Sequence, residues 1–500
     1  MIKEFYTLDR YVTVTKKDVA KDATLPYDGY VLRVSADGVV FGRYQNERAK
    51  EYLKATLHKW EKNGICREVY CKDYPSFPMR GVVEGYYGTP LTFEKRKDLF
   101  AFMKKVRMNY YIYAPKDDLY HREKWRLPYP QKRMEELRKT LTEARKKHIE
   151  FCFAISPGKD FDFAVEEDYR ILLKKLTDLT ALGIDRFALF MDDIEPTLSE
   201  AAKEKFSSTA EAHAHLANYL SENLTLAEPL LFCPTEYMQN FDTPYRRGLR
   251  ERLNEDIRVF WTGYNTAAEV VTEEDGEIVE STFGRKPILW DNYPVNDFAP
   301  KRRVYLGAIS NRGRYLHRSH IGYFANLSEL YESNKVPLST MAEYAWDCEG
   351  YSPEAALDRS VKAYFKGCAR EGRLFVALNE ANVMAEKSVV KEYVEREDFK
   401  ALDRHYAAVR KALERLDERM PKAFSEELAE LLEFAMSECA VYFAFRNGAG
   451  RDDYEMWKRT MNESRYVTAD LSFLRYLNEK YDFEEPFTID IKRQIYRRWN

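Results

Sequence analysis

Between about residue 79 and residue 346 the chain repeats one pattern eight times, a short apolar run followed by a longer amphipathic stretch. The runs are Gly81-Val82-Val83, Tyr110-Tyr111-Ile112-Tyr113, Phe151-Cys152-Phe153-Ala154-Ile155 and Phe187-Ala188-Leu189-Phe190. They continue with Leu230-Leu231-Phe232-Cys233, Val259-Phe260-Trp261, Ile288-Leu289-Trp290 and Ile321-Gly322-Tyr323-Phe324. Such runs alternating with helical periodicity predict βα units, and βα units in series predict a parallel sheet. Eight units over this length suit a (β/α)8 TIM barrel, which typically takes about 250 residues. The stretch after the first run carries the expected helical stripe of Phe93, Leu99, Phe100, Met103 and Val106. A doubly wound open sheet is the competing arrangement. No G-x-G-x-x-G follows the first run, so a dinucleotide site has no support.

The flanks read differently. Residues 1–77 mix strand-like pieces (Tyr30–Val34, Gly38–Phe41) with one helix near 46–62, a small N-terminal α+β domain. It ends at the proline-punctuated linker Asp73-Tyr74-Pro75-Ser76-Phe77-Pro78. From 352 to 500 the strands are expected to stop and a C-terminal helical bundle to begin, with Ser352-Pro353 as N-cap and first helical residue. Leu402, Tyr406, Val409, Leu413 and Leu416 alternate spacings of four and three, the seam of a packed helix. Further helices are expected over about 425–446 and 453–480. The basic end (Lys492, Arg493, Arg497, Arg498) reads as a solvated tail. The barrel itself is assigned to 79–346.

Bulk properties exclude several classes of function. A net charge of -3 gives no polyanion-binding signature, so no nucleic-acid partner is expected. No stretch approaches the roughly 18 apolar residues of a membrane span, and residues 1–10 hold no apolar core of signal-peptide length. Seven scattered cysteines read as reduced thiols, and the chain is expected to be cytoplasmic. Neither H-E-x-x-H nor paired C-x-x-C occurs, and His213 and His215 lie two apart on different helix faces. No metal and no cofactor are expected.

In a barrel, chemistry gathers at the C-terminal ends of the strands. There the sequence places Glu84-Gly85-Tyr86-Tyr87-Gly88, Ala114-Pro115-Lys116-Asp117-Asp118, Ser156-Pro157-Gly158 and Asp192-Asp193. Pro234-Thr235-Glu236-Tyr237, Trp261-Thr262-Gly263, Trp290-Asp291-Asn292 with Asn296-Asp297, and Asn326 follow. Neighbours within a strand point to opposite faces, but at a strand terminus the backbone turns, so Asp192 and Asp193 can reach one pocket. Carboxylates, amides, one lysine and indoles around a rim suit a sugar, whose hydroxyls bind Asp and Asn and whose face stacks on Trp. Asp192, Asp193 and Glu195 could instead hold Mg2+, although no glycine-rich phosphate loop accompanies them.

Seven collinear motifs resemble the β-N-acetylglucosaminidases of glycoside hydrolase family 84, the O-GlcNAcases and their bacterial relatives. They are Arg80–Gly88, Tyr113–Asp118, Ala154–Gly158, Phe187–Ile194, Cys233–Tyr237, Trp261–Gly263 and Leu289–Asn292. The resemblance implies retaining hydrolysis of terminal β-linked GlcNAc, in which the substrate's own acetamide oxygen attacks C1 to form an oxazoline. It further implies that Asp192 orients the acetamide N–H and that Asp193 is the general acid and base. Tyr237 and Asn292 resemble residues that steady the reacting centre, and Trp290 the pocket wall. Gly85 (through its backbone), Lys116, Asp297 and Asn326 resemble those that hold the sugar hydroxyls. The family often shows Asn-Pro where this chain has Asn326-Leu327, and Tyr86 replaces a common Phe. The implied partners are β-GlcNAc-bearing glycoproteins, peptides or glycans. The helical C-terminal region could pair two copies into a homodimer. Two other readings stay open: an inactive carbohydrate-binding relative, and a metal-dependent hydrolase or lyase built on the acidic doublet.

Overall fold

The computed structural model describes residues 3–195, 197–297, 302–380, 388–461 and 463–483. The chain opens with five strands, β1 (Glu4–Thr13), β2 (Lys16–Lys21), β3 (Tyr30–Val34), β4 (Val39–Tyr44) and β5 (Ile65–Asp73). They form one sheet in the order β1-β5-β3-β4-β2, antiparallel except where β2 meets β4. Helix Glu47–Trp60 buries Ala49, Tyr52, Leu53 and Leu57 in a core shared with Leu32, Val40 and Cys71 of the sheet. Its N-terminus is capped by Asn46, whose side chain accepts from Ala49 N.

Next come β6 (Met79–Glu84), β7 (Tyr110–Tyr113), β8 (Glu150–Ile155), β9 (Phe187–Phe190), β10 (Leu231–Cys233), β11 (Arg258–Trp261) and β12 (Ile288–Pro294). A two-residue strand β13 (Arg302–Arg303) precedes β14 (Gly322–Asn326). Strands β6 to β12 and β14 close into an eight-stranded parallel barrel, with β14 pairing against β6. This is the (β/α)8 architecture that the eight apolar runs predict. Nearly every strand residue is buried, as expected where both sheet faces are covered. Val83, Ile112, Ala154, Phe190, Phe260 and Phe324 fill the lumen. Leu99, Tyr111, Leu172, Leu189 and Trp261 pack between the strands and the surrounding helices. Gly81 permits the closest strand approach, since a Cβ there would sit 1.7 Å from Tyr110 O.

A buried ionic network joins the first sheet to the bottom of the barrel. The Asp28 carboxylate accepts from Arg80 Nη2 at 2.6 Å, Arg48 Nε at 3.0 Å, Asn46 Nδ2 at 2.7 Å and Asn109 Nδ2 at 3.0 Å. Burial opposes its charge, but the two guanidinium groups outweigh that and hold it below the usual carboxylate range. Arg80, which opens the first motif, therefore works at the end of the barrel opposite the candidate site.

Two features depart from the sequence reading. Among the described residues no α-helix stands between β12 and β14; the connection carries β13 and a 3-10 turn (Leu316–Arg318). Val304 and Leu306 of this connection share a core with the C-terminal helices. Second, strands do not stop at 352. The helix expected over 453–480 is two helices, Arg451–Met461 and Ser472–Tyr481, separated by β15 (Tyr466–Val467), which pairs in parallel with β13. An aromatic and a β-branched residue beside an open strand edge favour pairing over helix.

The other helical expectations hold. Ser352 accepts from Ala355 N at the start of helix Pro353–Tyr364, and the Leu402-to-Leu416 seam is buried in helix Phe399–Arg419. No described helix is long and apolar enough to cross a membrane. All seven cysteines are free and buried. Lys492, Arg493, Arg497 and Arg498 lie outside the described residues.

Within the helical region, the buried Glu438 carboxyl accepts from Tyr406 Oη at 2.8 Å and Thr468 Oγ1 at 3.2 Å. Burial pushes it up to about 8 from an ordinary 4.5, with Asp470 adding to the rise. The folded state thus binds a proton that the unfolded chain has lost. This stabilising term is complete below about pH 4.5 and disappears as pH rises through about 8. Glu438→Gln cannot ionise, so its melting temperature is expected to fall less than the parent's between those limits. Scanning fluorimetry across that window checks this, and parallel curves would contradict it.

Candidate active site

The residues singled out at the strand ends converge on the C-terminal mouth of the barrel. At the end of β9 the chain turns at Asp193, whose φ of 54° is left-handed, a conformation that Asp tolerates better than most residues. The turn lets both aspartates enter the pocket. Asp192 is buried, with Oδ2 accepting from Lys116 Nζ at 2.5 Å. Its other oxygen, Oδ1, is buried and has no hydrogen-bond donor among the described residues. Lys116 is itself buried. Burial disfavours its charge, but Asp192 and then Asp193 outweigh that and hold the ammonium above the usual lysine range. Beside them His121 is buried, with Nδ1 2.8 Å from Ala154 O. Burial pushes it down to about 4, so the imidazole adds no second cation at neutral pH.

Asp193 is half-buried and receives two phenol hydroxyls: Tyr87 Oη donates to Oδ2 at 2.9 Å and Tyr237 Oη to Oδ1 at 3.2 Å. Burial, followed by charges that include Asp193, raises both phenols above their ordinary range and keeps them as donors. Tyr87 Oη also accepts from Arg122 Nη1 at 2.9 Å, and the Tyr87 backbone N–H donates to Asp297 Oδ2 at 2.6 Å. Burial raises the Asp297 carboxyl, against the opposing pull of the Tyr87 N–H and of Arg302.

The opposite wall is a chain of amides. Gly85 N donates to Asn326 Oδ1 at 3.2 Å, and Asn326 Nδ2 donates to Asn292 Oδ1 at 2.8 Å. Asn292 Oδ1 also accepts from Trp290 Nε1 at 3.0 Å, while Asn292 Nδ2 donates to Thr266 O at 2.6 Å. Strand alternation sends Trp290 inward, against Phe190 and Phe260, and Asp291 outward to Arg312. The register shifts between Asp291 and Pro294, as at a bulge that re-aims a strand end. A Cβ at Gly85 would lie 2.9 Å from Trp290 Cζ2 and 3.2 Å from Asn326 Oδ1, so this wall requires glycine.

All nine sequence-derived site residues (Gly85, Lys116, Asp192, Asp193, Tyr237, Trp290, Asn292, Asp297 and Asn326) thus stand in three neighbouring hydrogen-bonded groups. Other rim residues turn elsewhere. Asp118 accepts from Tyr113, Tyr129 and Arg133, and Asp117 is exposed. Trp261 is core and donates to Gln239 O. Glu195 is exposed, and among the described residues no three His, Cys, Asp or Glu side chains form a metal-holding group. Sequence reasoning missed Tyr87 as a linking residue, although it lies inside a quoted motif. Arg122 and Thr266 carry no sequence signal, because loop geometry alone brings them in.

Comparison with known proteins decides the lineage. The family profile described as beta-N-acetylglucosaminidase matches residues 80–377, more than half of the chain. The chain belongs to the β-N-acetylglucosaminidase family. Within that family, Protein O-GlcNAcase of Rattus norvegicus and that of Mus musculus are each 38% identical over 270 residues. The match covers 53% of this chain but only 29% of those relatives' length. The solved structure of CpGH84B superposes with a TM-score of 0.82 at 24% identity, covering 96% of this chain and 99% of that one, a likeness of fold. An Asp-to-Asn mutant of the Thermobaculum terrenum O-GlcNAc hydrolase gives a TM-score of 0.74 at 26% identity, covering 85% and 97%.

The Gly85 wall yields a direct test. Gly85→Ala must displace Trp290 or Asn326, an overpacking cost of about 1–3 kcal/mol at the site. The melting temperature is expected to fall with that cost, and affinity for a sugar bound against the displaced wall to fall about tenfold or more. Calorimetry with GlcNAc and a thermal melt check both, and unchanged affinity would show that no ligand reaches this wall.

Proposed function

We propose that this chain is a retaining exo-β-N-acetylglucosaminidase acting through an oxazoline intermediate. The observation that carries the reading is Asp192. One of its oxygens is fixed by Lys116, while the other is buried and lacks a donor. An unmet buried acceptor costs about 1–3 kcal/mol, and an amide N–H from a bound 2-acetamido sugar would satisfy it. A carboxylate held in that way orients the acetamide and draws electron density toward the carbonyl oxygen. That oxygen attacks C1 as the bond from C1 to the aglycone oxygen breaks. Asp193 gives its proton to the departing oxygen. It then takes a proton from water, which attacks C1 and reopens the oxazoline with net retention.

The remaining roles belong to the same proposal. Tyr237 and Asn292 steady the reacting centre, and Trp290 walls the pocket. Gly85, Lys116, Asp297 and Asn326 hold the hydroxyls. The substrates are β-GlcNAc-bearing glycoproteins, peptides or glycans, in keeping with the named activity of the rat and mouse relatives. A cytoplasmic location, a homodimer through the helical C-terminal region, and a division into domains at 1–77, 79–346 and 352–500 complete it.

The chain is expected to release 4-nitrophenol from its β-GlcNAc glycoside with full activity in EDTA. Replacing the acetyl group by mono-, di- and trifluoroacetyl should slow the reaction steeply at each step, because fluorine drains the attacking oxygen. A flat series would mean that the protein supplies its own nucleophile. Chelator loss restored by Mg2+ would instead favour a metal-dependent hydrolase. Comparing O-GlcNAc peptides with GlcNAc disaccharides then ranks the aglycones.

The aspartates are expected to separate kinetically. Asp193→Asn removes the acid, so aglycones of low pKa should suffer less than poor leaving groups. Asp192→Asn should damage all substrates alike, since each needs its acetamide placed. Kinetics across a leaving-group series for both variants checks this, and identical profiles would contradict the assignment.

A further inference from the structure

Tyr87 touches two carboxylates of the site, Asp193 and Asp297, and the backbone on which it sits is held from far away in the chain. Arg302 Nη2 donates to Tyr87 O at 3.1 Å. The same guanidinium lies 2.9 Å from Glu329 Oε1, just past β14. Glu329 is almost wholly enclosed and takes two further groups from the C-terminal region. Arg465 reaches its carboxylate at 2.7 Å, and the Tyr466 hydroxyl donates to it. Backbone pairing fixes these groups in place: Arg302 N donates to Arg465 O at 2.9 Å, and Val304 N to Val467 O at 3.1 Å. From the other side Glu430 of helix Lys422–Arg446 accepts from the backbone N–H groups of Arg465 and Tyr466.

We propose that Arg465 and Tyr466 are positioning residues for the reaction: their grip on Glu329 and Arg302 sets the Tyr87 peptide, and Tyr87 sets Asp193 and Asp297. The inference rests on the function proposed above. One residue serves both carboxylates, since the Tyr87 N–H donates to Asp297 and its hydroxyl to Asp193. Its carbonyl is the end held by Arg302. A shift of the Tyr87 backbone would move its N–H relative to Asp297 and its ring relative to Asp193 together. Arg302 and Glu329 are both largely buried, so their pairing is screened less by water than a surface ion pair would be. Arg465 is about half exposed, so its own contribution is mainly geometric: it fixes where the Glu329 carboxylate points.

The roles differ enough to be measured. A displaced general acid hurts reactions that need protonation of the aglycone more than those that do not. A displaced Asp297 weakens sugar binding. The test uses the full chain with Tyr466→Phe, Arg465→Gln and Arg465→Lys, each assayed on phenyl and 2,4-dinitrophenyl β-GlcNAc. Calorimetry with GlcNAc and thermal melts accompany the kinetics. Tyr466→Phe removes one hydroxyl and keeps the ring, so it retains the fold even if Arg465→Gln does not. For Tyr466→Phe and Arg465→Gln, kcat/KM on the phenyl glycoside is expected to fall about 10- to 100-fold. The dinitrophenyl glycoside should lose only a few-fold, and GlcNAc affinity should weaken. Arg465→Lys should recover part of the loss. Equal losses on both glycosides, or none, would overturn the inference and leave these residues with a purely structural role. A parent chain that cleaves neither glycoside would overturn the function proposed above and this inference with it.

Discussion

The hydrogen-bonded seam between β14 and β6 is the constraint on which everything else depends. It turns a row of strands into a closed barrel and places Asn326 beside Gly85, although the two lie 241 positions apart in the chain. Without that seam the amide chain through Asn326, Asn292 and Trp290 would have no far end. Closure also removes both edges of the sheet, so every strand end faces a common mouth. The candidate pocket is thus a product of topology before it is a product of any particular side chain.

Charge within that mouth is distributed unevenly. The Lys116 ammonium donates to Asp192, whereas the hydroxyls of Tyr87 and Tyr237 donate to Asp193. Two adjacent carboxyls therefore receive different kinds of donor, an ammonium on one and phenols on the other. This is the kind of asymmetry that lets neighbouring acids take different roles.

Much of this was legible in the sequence because it is local. A buried parallel strand must be an apolar run, so eight runs gave eight strands. A polar residue directly after such a run must sit at the mouth, which located Lys116, the Asp192-Asp193 pair and Asn292. Asp118 and Trp261 meet the same positional rule yet point outward from the lumen, because rotation about a strand end cannot be read from spacing. What stayed hidden is non-local. Strand β15 is only two residues long, too short for the strand propensity of Tyr466 and Val467 to mark it without the edge of β13 that it meets. The connection from β12 to β14 looked like another βα unit. Val304 and Leu306, which could have belonged to a barrel helix, instead pack among the C-terminal helices. Tertiary partners decided both cases against local propensity.

The pairing of β13 with β15 also bears on the order in which the molecule can be made. Arg302 waits for Tyr466, which is translated long after the last barrel strand. A nascent chain can therefore complete its barrel, and bring Asp192, Lys116 and the amide wall together, while the clamp behind Tyr87 does not yet exist. Contacts that span so much chain form late, because the intervening loop must close before they reward it. Completion of the mouth would then follow closure of the barrel, because the last contacts behind Tyr87 come from a strand synthesised well after it.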